Sequence, residues 1–240
     1  LSGTSLLAWL RSNLGAYWPA HRRLLARRPR AWLATCGAAL AMGWRYRKGR
    51  LGPVRKVFIK EFLQAGAIAE QVLAAGDVAQ LHGHFCHGAT TITWFASRLT
   101  GLPFSFTAHA KDIYQADQNP GDLLARKMRA ARFVATCTDA NRVHLEGRRA
   151  PAGSCCPVHT VYHGLDTGYF APRPAAVAGG LPRILAVGRF VEKKGLRHLV
   201  EACARLRDAG QRFRCTLLGE DGPERPAIEA RLARVLSVPN

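Results

Sequence analysis

The first 60 residues contain no aspartate and no glutamate, although they carry 13 lysines and arginines. This lack of acid is local. The remaining 180 residues hold 22 basic and 16 acidic side chains, so the formal net charge of +19 belongs mainly to the N-terminal quarter. Such a segment favours an anionic partner, either a lipid surface or a nucleic acid. Cysteine is sparse: there are seven, an odd number, with Cys155 and Cys156 adjacent and no C-x-x-C pair. That argues against a disulfide framework or a zinc ribbon and fits a reducing, cytoplasmic compartment. Long apolar runs are missing as well. The longest uncharged run of the first 60 residues, Ala31 to Trp44, has 14 residues and would span about 21 Å as a helix, short of a ~30 Å hydrocarbon core. There is no initiator methionine and no signal-peptide pattern, and the chain reads as a piece of something longer.

What is present is globular in composition. The 240 residues are 48% hydrophobic and 21% charged, enough for one large or two modest domains. Residues 4–50 read as helices over Ser5–Tyr17, Pro19–Arg28 and Ala31–Tyr46, with Pro19 at a helix start and four of the five tryptophans set among the arginines. That mixture suits a membrane headgroup interface, and equally a helical pair packed on its own domain with a basic outer face. Val54–Ala75 follows as a long helix ended by Gly76.

From Ala79 the pattern becomes β-α alternation. Strands are expected at Ala79–Phe85, Pro103–Thr107, Phe133–Cys137 and Val158–Tyr162, with helices at Ala89–Leu99, Asp122–Ala131 and Ala140–Gly147 between them. Short apolar strands in sustained alternation predict a parallel, Rossmann-like sheet. Residues 171–182, rich in Pro, Ala and Gly, read as a linker between a first lobe over 1–170 and a second over 183–240. The second lobe shows strand Arg183–Val187, helix Leu196–Ala209, strand Phe213–Leu218 and helix Arg225–Leu236 before the sequence ends, and so reads as truncated.

Four stretches carry candidate chemistry. Gly188-Arg189-Phe190-Val191-Glu192-Lys193-Lys194-Gly195 joins a strand to a helix start, where backbone N–H groups favour an anion. Arg189 and Lys194 would add charge-assisted bonds, on the order of 1.5–3 kcal/mol each. A second turn, Gly219-Glu220-Asp221-Gly222-Pro223, follows the next strand and faces the same crevice. Neither strand is followed by G-x-G-x-x-G, which argues against a dinucleotide oxidoreductase. In the first lobe, His109 of Thr107–Tyr114 lies at the carboxyl end of a strand and should point into a cleft. His82 and His84 share a strand face, and an H-x-H pair is a possible metal set, but no carboxylate is near in sequence to complete it; no metal is expected, and the strand end is taken to line the cleft. His163 and Gly164 close the last strand of that lobe, with Gly164 expected at a special φ/ψ position.

In this order, His82–Phe85, Phe106–Tyr114, Val161–Asp166, Ala186–Phe190 with Lys194-Gly195, and Leu218-Gly219 with Gly222-Pro223 resemble the retaining, family 4-like glycosyltransferases of GT-B fold. The likeness covers roughly residues 50–236 and is nearest to enzymes of bacterial colanic-acid and exopolysaccharide biosynthesis. It implies transfer of a sugar from a nucleotide-diphosphate sugar to a lipid-linked or polysaccharide acceptor, with retention, on the cytoplasmic face of the membrane. Arg189 and Lys194 would hold the diphosphate and stabilise the leaving group. Gly188, Gly219 and Gly222 would line the donor site, and His109 would sit near the reacting hydroxyl. His84, Asp112, His163 and Gly164 would line the cleft, and no metal or other cofactor would be needed. Two departures stand out. The second glycine turn is one residue longer than the family's usual Gly-Asp-Gly-Pro. The family's E-x7-E region would fall after residue 240 and its glycine-rich first strand before Leu1, so the 240 residues alone are expected to be inactive. A basic nucleic-acid-binding protein or another Rossmann-type nucleotide binder is the alternative, although no nucleic-acid-binding module is recognisable.

Overall fold

The computed structural model describes residues 6–47, 49, 52–148, 156–171 and 180–236. Most of the expected linker at 171–182 lies outside them. The chain divides into two compact units, Leu1–Leu165 and Asp166–Asn240. Each is α/β with a parallel sheet.

The first unit opens with α1 (Leu6–Arg27) and α2 (Pro29–Arg45). The sequence placed a helix start at Pro19, but α1 runs through it. A proline inside a helix removes one backbone hydrogen bond and crowds the carbonyl four residues earlier, here that of Gly15. Pro29 does begin a helix, α2, at a position where its missing N–H costs nothing. Both helices pack on α3 (Val57–Ala75), which Gly76 ends in the left-handed conformation at φ 77°. His21 is buried at this junction. It takes a hydrogen bond from the Trp32 indole on Nδ1 (2.9 Å), and its Nε2–H donates to the Leu63 carbonyl (3.1 Å). A Cβ on Gly66 would collide with the His21 ring.

The sheet runs β1 (Leu81–His84), β2 (Phe104–Ala108), β3 (Val134–Thr136), β4 (Val158–Thr160), in that spatial order and all parallel. Between the strands lie α4 (Gly88–Thr100), α5 (Ala110–Tyr114), α6 (Leu123–Ala130) and α7 (Asp139–Gly147). In β2 every residue but Thr107 is buried. Alternate side chains of a strand point to opposite faces, so both faces of the sheet are covered there. Phe95, Phe104 and Phe106 are fully buried, each contributing on the order of 2–3 kcal/mol of apolar burial. Gly101 ends α4 at φ 79°, and the Arg28 guanidinium donates to the Leu99 and Thr100 carbonyls left unpaired at that end.

The second unit holds β5 (Arg183–Val187), the short 3-10 turn Glu192–Lys194, α8 (Leu196–Asp208), β6 (Arg214–Leu218) and α9 (Arg225–Leu236). Strands β5 and β6 pair in parallel from Arg183 with Arg214 to Val187 with Leu218. Its core is small: Phe190, Leu196, Val200 and Ile228. Leu185, Val187 and Leu218 are exposed, so one face of this sheet is largely bare.

Candidate functional site

Two features are assembled by the strand ends, one in each unit. In the first unit, the parallel strands β1 to β4 all deliver their carboxyl ends to one edge. His84 closes β1, His109 follows β2, Cys137 follows β3, and His163 lies three residues beyond β4. The Nε2 atoms of His84 and His109 are 3.1 Å apart, so one ring donates and the other accepts. The His109 and His163 rings stack at 6.0 Å and 7°. Phe85 adds an apolar wall, its ring centroid 4.7 Å from that of His84 and 5.0 Å from that of His109. Phe85 has φ 76°, the one non-glycine residue at positive φ among the described residues. A backbone held there is strained by about 1–3 kcal/mol, as is common where a fold positions functional groups.

Burial lowers the affinity of His109 for a proton, and the neighbouring His84 and His163 lower it further, against the opposing pull of Asp112. The ring is accordingly biased to its neutral form. Asp112 itself does not line an open surface as the sequence suggested: it is buried, and its carboxylate accepts the backbone N–H of His109 (3.0 Å) and that of Cys86. It is a bracket that ties the β2 end to the loop after β1.

That loop is fixed from below as well. Lys127, wholly buried, donates all three ammonium protons, to the carbonyls of Cys86 and His87 and to Asn119 Oδ1, each at 2.9 Å. Asn119 in turn donates to the Asp112 carbonyl at 3.1 Å. Burial pulls the Lys127 pKa down to about 8, with the nearby Glu61 opposing that shift. Glu61 is buried with one carboxyl oxygen lacking any partner among the described residues, and burial raises its pKa to about 7. None of this network was visible in the sequence, which offers no local signal for a lysine buried against carbonyls 40 and 41 residues away.

His82 stands apart from the row. Its ring is held by the Ser105 and Thr107 hydroxyls at 2.7 and 2.9 Å. Gly164 is not at positive φ, and a Cβ there would meet nothing, so the special conformation expected of it is not found. Cys137 was read only as the end of a strand. Its Sγ, with one ring nitrogen each of His109 and His163, forms a set whose atoms all lie within 4.8 Å of one another. The signal that could have found it is topological: Cys137 follows β3 in the register that sets Thr136 beside Ala108 and Thr160.

In the second unit the two glycine turns are bonded to each other. Gly188 N–H donates to the Leu218 carbonyl (2.9 Å), Phe190 N–H to that of Glu220 (3.2 Å), and Glu224 N–H to that of Phe190 (3.1 Å). A Cβ on Gly219 would overlap the Gly188 carbonyl, and one on Gly222 the Phe190 carbonyl. These glycines therefore serve close backbone approach. Gly195, at φ 65°, turns the chain into α8. The Lys194 stem lies over Gly188, with its Cδ 3.5 Å from where a Cβ would be. Arg189 and Lys194 are exposed and make no ion pair or side-chain hydrogen bond among the described residues. By contrast Arg197, one turn on, is held by Glu224 at 2.6 Å.

No protein-family model matches the chain. It is 32% identical over 158 residues to 2-deoxystreptamine glucosyltransferase of Streptomyces kanamyceticus, a match covering 58% of this chain and 40% of that protein. It is 41% identical over 56 residues to a protein named as a colanic acid biosynthesis glycosyltransferase in Escherichia coli, covering 23% of this chain and 14% of the relative. The chain thus spans less than half the length of these curated relatives. Over an α/β fold of parallel sheets, the chain is thus similar in sequence to parts of two glycosyltransferases.

Proposed function

We propose that the chain is the part of a nucleotide-sugar-dependent glycosyltransferase that grips the donor's diphosphate and presents a histidine-lined edge to the acceptor. The observation that carries this reading is the pair of mutually bonded glycine turns in the second unit, with Arg189 and Lys194 left unpaired beside them. A diphosphate satisfies both cations, and they in turn neutralise the negative charge that develops on it as the leaving group. Neutral His109, braced by Asp112 and by His84, suits hydrogen bonding to a sugar hydroxyl. Retention of configuration and a lipid-linked or polysaccharide acceptor in cell-surface biosynthesis complete the proposal, on the likeness of motifs. Titration of the full chain with UDP, GDP and ADP tests it: one nucleotide should bind, more weakly as salt rises. Failure of all three to bind, or binding untouched by Arg189→Ala and Lys194→Ala, would overturn it.

A membrane-facing role for α1 and α2 belongs to the same proposal. No helix among the described residues is long and apolar enough to cross a membrane. Yet Arg11, Leu14, Trp18, Arg22 and Leu25 form an exposed stripe on α1 at helical spacing, and Leu33, Leu40 and Trp44 form another on α2. Aromatic, apolar and basic side chains together fit the headgroup layer of an anionic bilayer. Arg23 and Arg28 are engaged, by Glu70 and by the end of α4. The informative charge reversals are therefore Arg11, Arg22, Arg27 and Arg30. Co-sedimentation with phosphatidylglycerol vesicles should be lost in that variant, and absence of binding by the parent chain at low salt would end the idea.

A further inference from the structure

We propose that the carboxyl edge of the first unit's sheet binds a borderline-soft divalent cation, zinc(II) by its chemistry, through His109, Cys137 and His163. The ligand atoms lie within 4.8 Å of one another. Around a tetrahedral zinc, with bonds of ~2.0–2.1 Å to nitrogen and ~2.3 Å to sulfur, the ligand atoms sit about 3.3–3.7 Å apart. Closing the set thus requires movements of about 1 Å and a turn of one of the stacked His109 and His163 rings, so that both nitrogens face the ion. His163, exposed on the segment after β4, is the ligand best able to make them. Two imidazoles and a thiolate select zinc-like ions over magnesium or calcium, which require oxygen. The carboxylate of Asp112 is turned onto backbone N–H groups and is no ligand.

The surroundings support the sulfur in particular. The Asn141 side-chain amide donates to Cys137 Sγ at 3.6 Å, and Asn141 Oδ1 accepts from the Tyr114 hydroxyl at 3.1 Å. Donors of this kind fix a ligating thiolate and modulate its basicity. His84 contacts His109 through Nε2 at 3.1 Å but is not among the three residues that converge. Binding releases the Cys137 thiol proton to solvent, so affinity rises with pH. This site stands apart from the diphosphate-binding turns of the second unit but shares His109 with the acceptor edge proposed above, so an ion bound there competes with a sugar hydroxyl for that ring.

The test is cobalt(II) titration of the full chain carrying Cys203→Ser and Cys215→Ser, which removes the neighbouring thiols of the second unit. One cobalt per chain should bind with a thiolate-to-metal charge-transfer band and be displaced by zinc. Cys137→Ser should abolish the band, while His163→Ala and Asn141→Ala should each weaken zinc binding by roughly 10–100-fold. Far-UV circular dichroism checks each variant; if Cys137→Ser does not fold, His163→Ala, at an exposed position, decides. No band in the parent chain would overturn the proposal, as would a band and affinity unchanged by the folded variants.

Discussion

The two parallel sheets of this chain are built alike and covered differently. Strand β2 of the first unit is buried on both faces, whereas β5 of the second leaves Leu185 and Val187 open. The polar groups follow the same division. At the first edge each is tied to another: His84 to His109, Asp112 to two backbone N–H groups, Lys127 to three acceptors. For the buried Asp112 and Lys127 burial demands this, because an unmatched polar group in a dry interior costs several kcal/mol. In the second unit Arg189 and Lys194 are exposed and make no ion pair or side-chain hydrogen bond among the described residues. One unit holds its buried polar groups in fixed pairs, and the other leaves two cations exposed.

The contrast breaks first, if it is wrong, in amide exchange. The Phe106 amide should exchange only through global opening, while that of Leu185, on a half-covered sheet with a small core, should exchange through local opening roughly a thousandfold faster. Equal protection would show that the second sheet is as well supported as the first.

Glycine substitutions sharpen the same contrast. Gly219→Ala and Gly222→Ala drive a Cβ into backbone carbonyls, which cannot yield as a side chain does. Each should destabilise the second unit by about 3 kcal/mol, read as lost protection in β5 and β6 with β1 to β4 unaffected. Gly188→Ala meets only the flexible stem of Lys194 and should cost under about 1 kcal/mol.

In the first unit the weak point is Glu61. Its folded pKa of about 7 lies above the usual carboxyl value of 4.5 because burial disfavours the charge. The folded state therefore holds more protons than the unfolded state between those values, and stability falls as pH rises through that window. Glu61→Gln removes the slope. The variant should match the parent near pH 4.5 and exceed it by about 2–3 kcal/mol above pH 7, measured by urea unfolding at each pH. A constant difference across pH would mean that Glu61 keeps an ordinary acidity.

Local pattern carried much of the fold. Strand β5 and helix α9 fall where apolar runs and turn residues place them, and Gly76 ends α3 as glycine at a helix end should. Helix α5 was not read because five residues are too few to show a period. Pro19 misled because packing of α1 on α3 outweighs one lost hydrogen bond. The glycine turns were legible since both their chemistry and their spacing are local. Cys137 and Lys127 were not, because their partners lie 26 or more residues away on one side or 8 to 41 on the other, and nothing near them in sequence marks the meeting.

The smallest change in stability is expected at the two cations of the receptive loop. Arg189 and Lys194 are exposed and unpaired, so Arg189→Ala, Lys194→Ala and the double variant should each stay within about 0.5 kcal/mol of the parent. Ligand affinity should behave oppositely. A charge-assisted bond to phosphate is worth about 1.5–3 kcal/mol, so either single variant should weaken nucleoside diphosphate binding roughly tenfold or more. The double variant should lose most of the salt dependence too, since the remaining attraction comes from backbone N–H groups. Calorimetric titration beside thermal unfolding separates the two effects. If the variants unfold earlier in proportion to their lost affinity, the cations hold the turns together rather than the ligand, and the division between a satisfied edge and a receptive one fails at its receptive end.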